Sequence, residues 1–217
     1  MSLRPLPILR NYLAVLKEPQ FITYALSGAF AFSGLLVYVT SSPIVFMEVF
    51  KVSVQNFGAI FAGLSVGFIG SNQINVLLLR KFSSEQIFRG ALLVECPVAL
   101  LLLVGTICGW FGLSATLVLL FIALSSLGLA YPNAAALALV PFSRNIGSAS
   151  AMLGFLQIGV SGLASASIGI FDSHTMMPVA LVLMATSFIG FAILLIGKRF
   201  IPEVKYVEES GAVVLPH

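Results

Sequence analysis

Charge is what this sequence has least of. Only 9% of its 217 residues are Asp, Glu, Lys or Arg, against about 25% in an ordinary soluble domain. So few charges cannot cover a water-facing surface, so a soluble globular fold is excluded. Cysteine is scarce as well: two residues, Cys96 and Cys108, at a spacing that fits no zinc or redox motif. They read as small apolar packing residues, and no metal or cofactor is expected. No stretch combines clustered basic residues with interleaved aromatics, which argues against nucleic acid as a partner. Residues 1–18 are Pro-rich and charged, and lack the short apolar core and cleavage site of a signal peptide.

What is abundant is apolar sequence: 59% hydrophobic residues and a mean hydropathy of +1.08. No Asp, Glu, Lys or Arg occurs from Pro19 to Met47, Val52 to Leu79, Cys96 to Ser143, Ile146 to Phe171, or Ser173 to Gly197. A bilayer core about 30 Å thick needs about 20 helical residues. Four of these runs fit one span each. The Cys96–Ser143 run is too long for one and is divided by Gly109-Trp110-Phe111-Gly112, a tight turn with Trp110 at headgroup depth. The expectation is an all-α membrane protein with six transmembrane helices over roughly residues 20–42, 56–79, 89–109, 113–140, 147–171 and 176–197, following a linker-like segment 1–18 and preceding a tail 201–217. The runs are continuous rather than alternating, which disfavours a β-barrel.

The basic residues orient this bundle. Arg4, Arg10 and Lys17, then Arg80, Lys81 and Arg89, then Arg144, then Lys198, Arg199 and Lys205 all fall on one side of a six-span chain; Lys51 alone falls on the other. Positive-inside bias makes the rich side, with both termini, cytoplasmic.

Polar side chains within spans normally face a bundle interior or a water-filled cavity. Gly58, Ser65 and Asn72 share one face of the second span, with Asn75 at i+3 and Ser71 and Gln73 flanking. Ser150, Gly154, Gln157 and Ser161 share a face of the fifth. The fourth pairs Ser126 with Asn133, next to Tyr131 and Pro132. The first carries Tyr24, Ser27, Tyr38 and a Thr40-Ser41-Ser42-Pro43 end. Gly63/Gly67 and Gly154/Gly162 are explained by close helix packing alone. Amides are harder to satisfy in lipid, so Asn72, Gln73, Asn133 and Gln157 are expected to line a cavity; with Tyr38 and Tyr131 they make up the expected substrate-binding residues. One carboxylate, Glu95, lies within a span, about 9 Å in if that helix starts near Arg89. It is a proton-coupling candidate; the plainer reading has it reaching the interface or pairing with Arg89 or Arg144. One carboxylate with scattered amides is a poor catalytic set, so no enzyme is expected.

Several stretches resemble the Bcr/CflA (bicyclomycin and chloramphenicol resistance) drug–proton antiporters of the major facilitator superfamily, specifically helices seven to twelve of their twelve. They are Tyr24 to Gly34, Tyr38 to Pro43, Gly128-Leu129-Ala130-Tyr131-Pro132-Asn133-Ala134-Ala135-Ala136, and Pro141 to Gly154 with Ser143-Arg144-Asn145. Leu9-Arg10-Asn11-Tyr12 resembles the family's central linker. The resemblance implies a half-transporter of two inverted three-helix repeats, with the first, second, fourth and fifth spans lining a cavity and the third and sixth peripheral. It also implies proton-coupled efflux of small lipophilic, drug-like solutes from the cell inner membrane. The partners expected are the lipid bilayer, such solutes, protons, and an N-terminal six-helix half or a second copy of this chain. The loop at Leu79-Arg80-Lys81-Phe82-Ser83-Ser84-Glu85-Gln86 departs from the family's Gly-Asp-Arg-Gly-Arg-Lys type motif, keeping only basic positions and a nearby acid. The competing expectation is a truncated or split-gene product without transport of its own, or a scaffold for a partner, because Met1 falls within the linker-like segment.

Overall fold

The computed structural model describes residues 5–143, 145–170 and 175–201. Seven α-helices occur among them: α1 (Pro5–Leu16), α2 (Pro19–Pro43), α3 (Val54–Leu78), α4 (Ser84–Ile107), α5 (Leu113–Leu139), α6 (Ile146–Ile168) and α7 (Met177–Gly197). The helices α2 to α7 are each long and apolar enough to cross a bilayer. The six-span, all-α expectation is therefore met. Arg144, the Asp172–His174 loop and the tail after Ile201 lie outside the described residues.

Local chemistry explains the boundaries. Pro19 starts α2, where its missing N–H costs nothing. Ser53 caps α3 by accepting from the Asn56 N–H. A reciprocal capping box between Ser83 and Gln86 starts α4. The turn expected at Gly109-Trp110-Phe111-Gly112 is present, with Gly109 in the left-handed region (φ +66°) and Trp110 exposed. Two spans depart from expectation. Thr40-Ser41-Ser42-Pro43 does not end the first span: Pro43 passes into a π-helical segment, Ile44–Val49, so the rod continues one further turn and a half. The third span starts at Ser84, five residues before the expected 89, because the capping box and not Arg89 sets its end. The linker-like segment holds α1, which packs on α6 and α2.

The packing has an internal symmetry. The central helix α2 packs on α5, α6 and α7; α5 packs on α2, α3 and α4; and α4 packs on α7. Exchanging α2 with α5, α3 with α6, and α4 with α7 reproduces the same pairs. An odd number of spans per repeat makes the second repeat enter from the opposite side, so two inverted three-helix repeats account for the pattern.

Small residues let the central helices meet. A Cβ at Gly28 would lie 2.6 Å from the Ala134 Cβ, and one at Gly34 3.3 Å from both Leu127 and Leu183. Gly128 sits directly against the Phe68 carbonyl and Ser71. Ser27 donates to the Gly190 carbonyl at 2.7 Å, joining α2 to α7. The outer pair α3 and α6 is different. Each buries a narrow stripe, Leu64, Gly67, Ser71 and Asn75 on α3 and Ala149, Leu153, Gln157 and Ser161 on α6. Over the rest of their surfaces, Gly58, Gly63, Gly154 and Gly162 have nothing within 4 Å of a built Cβ.

Candidate functional site

Three groups of polar residues are distinguishable, and the stripe that each helix buries decides which residues fall in each. The first joins α3 to α5. Asn133 is 1% exposed, and its Nδ2 donates to the Asn75 Oδ1 at 2.6 Å and to the Leu129 carbonyl at 2.7 Å. Pro132, one residue before, offers no N–H to the Gly128 carbonyl one turn back. Asn75 is buried because it continues the stripe facing α5, whereas Asn72 is half-buried and Gln73 exposed on the open flank of α3.

The second group lies where α2 crosses α5. The half-buried rings of Phe32 and Tyr131 meet there with centroids 4.7 Å apart, forming an aromatic platform at the crossing. Gln157 belongs elsewhere: it is buried on the α6 stripe, with Ser161 one turn along, and no hydrogen bond to it is found among the described residues. Thr40 of α2 and Ser165 of α6 are bridged by a hydroxyl–hydroxyl contact of 2.7 Å.

The third group is enclosed. Glu95 is 3% exposed. It lies eleven residues into α4, at about 16 Å along the helix axis, near the helix midpoint rather than about 9 Å from an end. The expectation of a carboxylate that reaches the interface is thus not met: the earlier start of α4 carries Glu95 deeper, and α7 covers it; of its two expected ion-pair partners, Arg144 lies outside the described residues. The Ser187 hydroxyl donates to its Oε1 at 2.7 Å, while Oε2 has no hydrogen-bond partner among the described residues. Cys96 is buried and donates from its Sγ to the Ser187 carbonyl at 3.5 Å, whereas Cys108, expected to pack in the same way, is exposed at the end of α4. Tyr38 stacks on Phe61 at 5.7 Å, and its hydroxyl is buried without a partner. Both Tyr38 and Glu95 line a cavity of about 20 Å³ between α2, α4, α5 and α7, enough for one water molecule.

Of the residues expected at the site, then, Tyr38 shares a cavity with Glu95, Asn133 is tied to Asn75, and Tyr131 is paired with Phe32. Asn72 and Gln73 sit on the open side of α3, and Gln157 is turned inward. Sequence reasoning missed Ser187 and Phe32. The signal for Ser187 was available: Thr186-Ser187 is a polar pair in the most apolar span. At the loop that departs from the family motif, Glu85 forms an ion pair with Lys198, tying the start of α4 to the end of α7.

These features define a multi-pass helical membrane protein whose six spans pair as two pseudo-symmetric groups of three. No family model matches the chain. It is similar to the uncharacterized MFS-type transporter YdgK of Bacillus subtilis (strain 168), with 28% identity over 178 residues, 82% of this chain and 44% of that protein. It is also 26% identical over 180 residues to a bicyclomycin resistance protein homolog of Haemophilus influenzae, covering 79% of this chain and 43% of the homolog. The chain thus spans less than half the length of the curated relatives it matches. The resemblance to half of a Bcr/CflA-type transporter is borne out.

Proposed function

We propose that this chain forms one half of a membrane transporter that exports small lipophilic solutes against a proton gradient, in the manner of the drug–proton antiporters it resembles. The observation that carries the reading is the Phe32–Tyr131 platform at the crossing of α2 and α5. These are the two central helices of the inverted repeats, and their crossing is where such folds place solutes, near the bilayer midplane. Aromatic faces suit flat apolar solutes and lipophilic cations. Asn72 and Gln73 would supply hydrogen bonds from the open side of α3. Tyr38, Asn133 and Gln157, being buried, would act by holding the helices that shape the path. The open faces of α3 and α6 that carry Gly58, Gly154 and Gly162 suit a second six-helix half, supplied by another polypeptide or by a second copy of this chain.

Glu95 is the proton carrier in this reading. It is a buried carboxylate near the middle of α4, and among the described residues no Lys or Arg lines its cavity. Ser187 holds one oxygen, and a water shared with Tyr38 would give the other a route for proton exchange. Both termini would lie in the cytoplasm, on the side rich in Arg and Lys.

Equilibrium binding of tetraphenylphosphonium to the purified chain tests the solute site. Tyr131→Ala should weaken binding about tenfold, the loss expected for one aromatic–cation contact, while helicity is unchanged. Unaltered affinity in a folded Tyr131→Ala protein would remove the platform from the account.

A further inference from the structure

Although α3 and α4 are consecutive, each packs on α5 rather than on the other. Between them runs a groove of about 540 Å³, with Leu78 on one wall, Gly90 and Val94 on the other, and Ile122 and Ser125 on its floor. A second pocket of about 380 Å³ shares Phe121 and Ile122 with it and continues past Gly63 to Leu117 and Val118. From Leu129 to Leu117 the α5 floor extends about 18 Å at 1.5 Å per residue. That is close to the thickness of one leaflet, about 15 Å.

The groove opens at the α3–α4 connection, where Phe82 and Gln86 line it and where basic residues outnumber the one acid, Glu85. Arg80, Lys81 and Arg89 are all exposed, and no ion pair to any of them is found among the described residues. The acid nearest in sequence, Glu85, is engaged with Lys198. Gln86, which lines the mouth, accepts from the Ser83 N–H through its Oε1, leaving its amide N–H groups to donate outward. Arg89 lies only five residues into α4, where a long side chain reaches back to the interface.

From these features we infer that the α3–α4 groove is a binding site for an anionic phospholipid. One acyl chain lies along α5, and the phosphate sits among Arg80, Lys81, Arg89 and Gln86. The apolar walls match the chain, the leaflet-length floor matches its reach, and three exposed cations without an ion pair among the described residues match a net negative headgroup better than a zwitterionic one. The site is independent of the solute platform, and the inference does not rest on transport.

The test uses the full chain, purified in detergent and exchanged into an equimolar mixture of palmitoyl-oleoyl phosphatidylglycerol and phosphatidylcholine. Native mass spectrometry then counts retained lipids by headgroup. The wild-type chain should retain phosphatidylglycerol preferentially. Combining Arg80→Gln, Lys81→Gln and Arg89→Gln should reduce that preference by about tenfold or more, since each basic residue near a headgroup contributes measurably. Gly90→Leu should reduce retention of both lipids, because a built Cβ there has nothing within 4 Å and the side chain can fill the groove without displacing a helix. Val94→Trp, at an exposed groove position, should do the same. Equal retention of the two lipids by the wild type would overturn the inference, as would a preference that survives the triple substitution. Retention unchanged in folded Gly90→Leu and Val94→Trp would overturn it too. So would displacement of phosphatidylglycerol by glycerol phosphate alone, which would mean a headgroup site without the groove.

Discussion

Asn133 donates from its amide to the Asn75 side-chain carbonyl across 2.6 Å, joining α5 to α3 inside the bundle. Interhelical polar pairs in membrane proteins are worth about 0.6 kcal/mol on average and at most about 1.7 kcal/mol. A double-mutant cycle of Asn75→Ala and Asn133→Ala, read by thermal unfolding in detergent, should give a coupling energy in that range. Each single variant should destabilise, and the double variant should lose less than their sum. Strict additivity would mean that the two amides do not interact.

Glycines on buried and open faces should respond oppositely to the same change. Gly28→Ala places a methyl 2.6 Å from the Ala134 Cβ and should cost about 1–3 kcal/mol by overpacking α2 against α5. Gly63→Ala meets nothing within 4 Å and should be neutral or stabilise the chain by about 0.5–1 kcal/mol through backbone entropy. Thermal shift of the two variants against wild type checks the contrast.

Glu85→Gln removes the ion pair with Lys198 between α4 and α7. The pair is partly solvent-exposed, so the loss should be small, about 0.2–1 kcal/mol, and should shrink further as salt is raised. A larger, salt-independent loss would point to a role for Glu85 beyond this pair.

Glu95→Gln keeps an oxygen to accept from Ser187 and keeps the volume of the side chain. The variant should fold with stability within about 1 kcal/mol of wild type. It should still bind a lipophilic cation but fail to move it in response to an imposed proton gradient in proteoliposomes. Gradient-driven transport at the wild-type rate would exclude Glu95 as the proton carrier.

The number and order of spans were legible because charge-free run lengths map directly onto bilayer thickness, and Gly109-Trp110-Phe111-Gly112 marks where the long run must break. Arg89 does not mark the start of α4, because a long basic side chain on the first turns of a membrane helix reaches the interface by itself. The Ser83–Gln86 capping box was the better signal. The α1 helix was hidden by its prolines and charges, which read as a linker. Which amides meet was not legible at all. The spacing of Gly58, Ser65 and Asn72 identifies a face of α3, but only the close approach of Gly128 to Phe68 and Ser71 decides that Ser71 and Asn75 turn toward α5 instead. Glu95 was visible as an isolated intramembrane acid, yet its partner Ser187 lies 92 residues away on α7, beyond any local pattern.

The most direct test of the transporter reading is accumulation of a lipophilic cationic dye in cells that carry this chain in their membrane, alone and with a separately expressed N-terminal six-helix half, with and without a protonophore. The account predicts lower accumulation than in control cells in at least one of the two pairings. That difference should disappear when the proton gradient is collapsed and in the Tyr131→Ala variant. Accumulation equal to the control in both pairings, with the protein verified in the membrane, would contradict it.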